Sequence, residues 1–195
     1  MLLLPKVIVL TVFCAALAIG CRGQAGVEPA PAHSDVASSP GRPSRSLPEP
    51  LASVLSEIKA KSRVPVLLPS KFSDPIRGAK YAVVESASDN EYSIILYYEL
   101  GIGDAGFAAF FEANAHPNYG PKDIGNVREV KLSRSLVGYF RPVSCGGSCA
   151  PANIWWKENQ VLYQIQLKLS PDLREDDQQK VITAVANSAI LAGPR

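Results

Sequence analysis

A chain of 195 residues is long enough for one domain with a sizeable core, and 47% hydrophobic residues can fill it. Acids and bases nearly cancel, 18 against 20, and no run of like charge occurs. That balance excludes the clustered basic surface a nucleic-acid partner needs, and it excludes electrostatics as the means of holding a membrane.

The chain begins with Lys6 before an apolar run from Val7 to Ile19, which ends in Leu17-Ala18-Ile19-Gly20-Cys21. The run is too short to span a bilayer as a helix, and a small residue before a cleavable bond marks an export signal. The last five residues resemble a bacterial lipobox, with Gly20 as the small residue and Cys21 as the thiol that receives diacylglycerol. Ala18 departs from the leucine that many lipoboxes carry. Cys14 is a poorer candidate, because bulky Phe13 precedes it and the apolar run continues beyond. The alternatives are a plain signal peptide or a short membrane anchor.

The resemblance implies a signal peptide over residues 1–20, lipidation of Cys21, and a place in the bacterial cell envelope. Arg22, in place of aspartate, implies the outer membrane, with the protein facing the periplasm. Each buried acyl methylene contributes about 0.8 kcal/mol, so two or three chains hold a protein essentially permanently. Loss of residues 1–20 removes Lys6 and takes the formal net charge from +2 to +1.

Residues 21–50 carry Pro29, Pro31, Pro40, Pro43, Pro48 and Pro50 among Ala, Ser and Gly, without an aromatic residue. Such a segment buries too little apolar surface to offset its ordering entropy, so it reads as a linker. As a flexible coil its ends would lie roughly 30 Å apart. His33 within it reads as a solvated linker residue.

Residues 51–195 form the expected globular domain. Leu51, Val54, Leu55 and Ile58 fall at helical spacing, which predicts a helix over Pro50–Lys61. Val64 to Pro69 follows as an extended, proline-bounded stretch. Strands are predicted over Tyr81–Ser86, Tyr92–Leu100, Val127–Leu132, Leu136–Val143, Ile154–Lys157 and Val161–Leu169. In the last, Val161, Tyr163, Ile165, Leu167 and Leu169 alternate with Gln164, Gln166 and Lys168, so one face meets the core and the other meets water. Asp172 and Glu175 are spaced as a capping box for a closing helix with an apolar stripe of Val181, Ile182, Val185, Ala186 and Ala189. The expected fold is α+β: a curved antiparallel sheet of about five to six strands, covered by N- and C-terminal helices.

Ile154-Trp155-Trp156, the turn at Glu158-Asn159, Tyr163-Gln164-Ile165 and the helix end Val185-Ala186-Asn187-Ser188 together resemble the C-terminal part of a bacterial domain of unknown function. That domain is found in lipoproteins and membrane-anchored regulators. The resemblance supports the fold and transfers no functional residue.

Gly101-Ile102-Gly103-Asp104-Ala105-Gly106 has the spelling of a dinucleotide-binding turn, and Phe107 to Phe111 beyond it could continue as a helix. The preceding strand alternates with polar residues and no acid-ended parallel strand follows, so the segment reads as a glycine-rich connection. Cys145-Gly146-Gly147-Ser148-Cys149 is sharper. Outside the cytoplasm, cysteines this close pair as a structural disulfide, contributing roughly 2 kcal/mol by loop closure. A thioredoxin-type motif has two intervening residues where this one has three, and a zinc site would need more ligands than His116 supplies.

His116 sits in a loop composition, and Ser148 has no nucleophile-elbow context. Trp155 and Trp156 point to opposite sheet faces. One belongs to the core, and the other is a candidate partner contact near the disulfide, unless a loop or helix covers it. With no catalytic constellation and no cofactor or metal site, the expectation is a non-enzymatic envelope lipoprotein. It would contact an envelope protein partner. The alternative is a carrier or sensor that holds an apolar ligand between sheet and helix. An enzyme would require His116, Asp104 and a further carboxylate to meet in one cleft.

Overall fold

The computed structural model describes residues 46–195, so the signal peptide, Cys21 and most of the linker lie outside the described residues. Helix α1 (Glu49–Lys61) starts with Pro50 in its first turn, where a missing N–H costs nothing. Leu51, Val54 and Ile58 recur on one face and are buried. An extended stretch follows, and tyrosine hydroxyls fasten it to the sheet. Tyr163 donates to Pro65 O at 3.0 Å and Tyr98 to Pro75 O at 3.0 Å, while Tyr92 accepts from Leu67 N at 3.1 Å. Burial raises the phenol pKa of all three above the ordinary tyrosine range.

The strands are β1 (Tyr81–Ser88), β2 (Glu91–Tyr97), β3 (Phe107–Asn114), β4 (Arg128–Lys131), β5 (Val137–Arg141), β6 (Ser144–Cys145), β7 (Cys149–Ala150), β8 (Ala152–Glu158) and β9 (Val161–Leu167). Seven of them form one antiparallel sheet in the order β1-β2-β3-β9-β8-β5-β4, and β6 with β7 forms a small separate hairpin. Two antiparallel halves thus meet where β3 pairs with β9, with Phe111 opposite Ile165. The β8–β9 turn places Asn159 at φ 50° and Gln160 at φ 70°, and positive φ at both positions suits the twist of a tight hairpin.

The sheet is larger than the expected five to six strands because Phe107–Asn114, where the sequence allows a helical continuation, forms the strand β3. Its first five residues, Phe107–Phe111, are apolar on both faces, so they lack the polar alternation that marks a half-exposed strand. The closing helix α2 (Glu175–Ala192) begins without the expected capping box. Arg174 occupies the N-cap with no side-chain cap bond, and Asp172 lies in a preceding turn where its N–H bonds Ser170 Oγ at 3.2 Å. Arg128 of β4 reaches Glu175 at 2.6 Å and Asp176 at 3.6 Å, binding acids that already sit at the positive end of the helix dipole.

Helix α2 lies across β8 and β9, whereas α1 packs beside the edge strand β1. Between α2 and the sheet, Phe111, Phe140, Ile154, Trp156 and Ile165 interleave with Ile182, Val185, Ala186, Ala189 and Ile190, and none is more than 2% exposed. Trp156 stacks on Tyr163 with ring centroids 5.4 Å apart. This interior is filled. Among the described residues no helix is long and apolar enough to cross a membrane.

Candidate binding cleft

Among the described residues neither α-helix lies over the opposite face of the sheet, and the connecting segments divide it into two halves. Over one half folds the β3–β4 connection. Pro121 is buried there, the Lys122 ammonium stands 5.9 Å from the Tyr139 ring, and Gly120, Pro121 and Lys122 share a hollow with Val137, Tyr139 and Lys157. Beneath this cover, Tyr139 pairs with Trp155, and Trp155 pairs with Gln164. The Arg141 guanidinium closes over the Trp155 ring at 5.2 Å.

Trp155 is consequently only 2% exposed, and Trp156 on the core face is 1% exposed. The expectation that one of the two tryptophans offers a partner contact is corrected here: loop and arginine cover Trp155, and the helix-side core encloses Trp156. Gln164, expected to face water, is likewise buried and donates to Asn153 Oδ1 at 2.7 Å. Glu112 sits on this face with Glu85 and Glu91 near enough to matter. Burial first, then those charges, raises its pKa above the ordinary carboxylate value.

The other half of the face stays open as a cleft. It is built from segments far apart in sequence. On one side stands the glycine-rich connection between β2 and β3. Gly101 and Gly103 have φ of 82° and 58°, and a Cβ at Gly106 would collide with the carbonyl oxygen of Glu99, so glycine is required there. The segment joins two antiparallel strands through a single 3-10 turn, Gly103–Ala105, and opens no α-helix, which removes the geometry a pyrophosphate site uses. Lys168, just past the end of β9 and beside the start of β3, locks this connection, donating to Asp104 O at 2.7 Å and Ala105 O at 3.0 Å.

On the other side stands the β6–β7 hairpin. Cys145 and Cys149 form its disulfide, with Cα atoms 4.0 Å apart. Its base is pinned by buried Gln178 of α2, which accepts from Val143 N at 2.8 Å and donates to Leu173 O at 2.7 Å. Between the two walls lies a hollow of about 570 Å³, whose apolar lining includes Phe107, Val143, Leu169 and Pro171. It adjoins a shallower hollow of about 350 Å³ beside Ile95, Tyr97 and Phe110, and the two share Asp104, Phe107 and Gln166.

The expected site residues distribute unevenly. Cys149 and Ser148 line the cleft, as does Asp104. His116 does not: Asp104 precedes β3 and His116 follows it, so the length of that strand, roughly 25 Å, separates them. Among the described residues no group of three or more His, Cys, Asp or Glu side chains is placed to hold a metal ion. The residues that sequence reasoning did not single out are Phe107, Phe110 and Gln166. Gln166 was legible as a solvent-facing residue of the last strand. Its meeting with Phe110 across the β3–β9 pair was not, because that register joins the two halves of the chain.

No family model, no curated protein and no solved structure matches this chain.

Proposed function

We propose that this chain is a non-enzymatic lipoprotein of the bacterial cell envelope, anchored through acyl chains on Cys21 and facing the periplasm from the outer membrane. The proline-rich linker that follows Cys21 tethers the domain, and the domain contacts a partner protein through the uncovered half of its sheet. The observation that carries the contact reading is the inequality of the two sheet faces. One is sealed by α2, while the other keeps a half-open, apolar-lined cleft between two braced walls. Braces such as Lys168 and Gln178 favour a preformed surface, which loses little entropy on binding. The filled interior under α2 favours this reading over the carrier of an apolar ligand between sheet and helix.

Two measurements test it. Radiolabelled palmitate should appear on the wild-type protein in cells and be absent from Cys21→Ser, which should also leave the membrane fraction. A photo-crosslinking residue at position 166 should capture one defined envelope protein, whereas the same residue at exposed position 180 on α2 should not. Equal capture at both positions, or at neither, defeats the contact reading, and unlabelled protein defeats the anchor.

A further inference from the structure

The β6–β7 hairpin has a free edge, and its hydrogen-bond register says which groups lie on it. Gly146 N donates to Ser148 O at 2.9 Å, so Gly146 and Ser148 form a hydrogen-bonded pair. Antiparallel ladders alternate bonded and non-bonded pairs. The next pair, Cys145 with Cys149, is therefore non-bonded, and Ser144 with Ala150 is bonded again. The main-chain N–H and C=O of Cys149 thus point away from β6. Strand β7 pairs only with β6, and Ser148, Cys149, Ala150 and Pro151 line the cleft. Cys149 presents a main-chain donor and acceptor that no hydrogen bond engages among the described residues.

Across the cleft, Gln166 contributes to both hollows, and its side-chain amide also makes no hydrogen bond among the described residues. It offers another donor and acceptor. Charge points the same way. The ionisable side chains of the deeper hollow are one acid and one base, Asp104 and Lys168, and the Lys168 ammonium is already turned onto loop carbonyls. Neither an anion nor a cation meets an unbalanced counter-charge. The complementary ligand is uncharged, carries alternating donors and acceptors along its length, and has apolar groups for Phe107, Val143 and Leu169. A polypeptide main chain in the extended form has those properties.

We propose that the cleft takes an extended, uncharged segment of a partner protein, which adds as a strand to the outer edge of β7. The segment exchanges two hydrogen bonds with Cys149, places an apolar side chain in the hollow beside Phe107, and meets the Gln166 amide on its far edge. The inference rests on the partner-contact reading above and specifies its chemistry.

The probe is a capped, uncharged peptide of alternating threonine and valine, titrated into the full-length processed protein in detergent and followed by amide NMR. Saturable shifts should appear at Cys149, Ala150, Phe107 and Gln166, together with slowed hydrogen exchange at the Cys149 amide. The same peptide methylated on the nitrogen that must donate to Cys149 O should bind at least tenfold more weakly. Gln166→Ala, a change at a partly buried side chain that makes no hydrogen bond among the described residues and so should leave the fold intact, should weaken binding roughly five- to tenfold. Equal affinity of the methylated peptide overturns strand addition, since apolar contact alone would then suffice. Absence of shifts at the cleft up to millimolar peptide also overturns it. In either case, capture at position 166 but not at 180 would leave the broader contact reading standing, so the two failures can be told apart.

Discussion

Phe110 and Phe111 are neighbours of the same residue type on the same strand, yet they belong to different environments. Phe111 is 2% exposed beneath α2, while Phe110 stands half-buried in the open cleft. Trp155 and Trp156 repeat the contrast with a different outcome, since a loop and an arginine cover the outer ring and leave it as buried as the inner one. A sheet therefore does not have an inside and an outside so much as a face sealed by regular structure and a face sealed where connections happen to cross it. The cleft is the part that no connection crosses.

The sharpest way to break that contrast is to truncate both phenylalanines. Phe111→Ala should cost about 3–5 kcal/mol in denaturant unfolding, because it removes a fully enclosed ring and leaves a cavity that the sheet and helix cannot close. Phe110→Ala should cost clearly less, about 1–2 kcal/mol, since the ring is only partly buried and water already reaches one side of it. Equal losses would mean that the open face is covered in solution. Next comes Gln178→Ala, which removes the acceptor of the partly buried Val143 amide. A donor left unsatisfied in a partly buried place costs about 1 kcal/mol, the low end of the range for buried donors, and amide exchange should rise at Val143 and across the β6–β7 hairpin before it rises in the main sheet.

Replacing both Cys145 and Cys149 by serine should lower stability by about 2 kcal/mol at most, because so short a loop leaves little chain entropy to remove. The domain should still fold cooperatively, as the hairpin base is held independently by Gln178. Collapse of the near-ultraviolet circular dichroism in this variant would show instead that the disulfide organises one wall of the cleft.

Much of the sealed face was legible in the chain. The i, i+3, i+7 spacing of Leu51, Val54 and Ile58, and the alternation through Val161–Leu169, follow from local geometry alone. The cysteine pair was readable because its partners are close in sequence. Strand β3 was not, since Phe107–Phe111 is apolar on both faces and so lacks the period that identifies a half-exposed strand. The covering of Trp155 was hidden for a related reason: it depends on where the β3–β4 connection lands, and composition fixes only that such a segment is irregular. The cleft was hidden most completely. Its walls are the glycine-rich connection, braced by Lys168 from a third segment, and the disulfide hairpin, and only tertiary register brings them together.

The smallest effect tests the covered half of the open face, and its sign differs from the others. The Glu112 carboxyl is half-buried among Glu85 and Glu91, so its folded-state pKa is raised and the native protein holds that proton more tightly than the unfolded chain. For an acid shifted this way, stability declines as pH climbs from the unfolded value, about 4.3, through the folded one, and the penalty is complete above it. Glu112→Gln mimics the protonated form. It should therefore stabilise the domain at pH 7, modestly because solvent screens a partly exposed group, and the gain should vanish below about pH 4 where both states carry the proton. Urea unfolding of the two proteins across that range reads the difference directly. A gain that persists unchanged at pH 3 would assign the effect to packing of the amide, and a loss at pH 7 would mean that the carboxylate has a favourable partner under the β3–β4 connection.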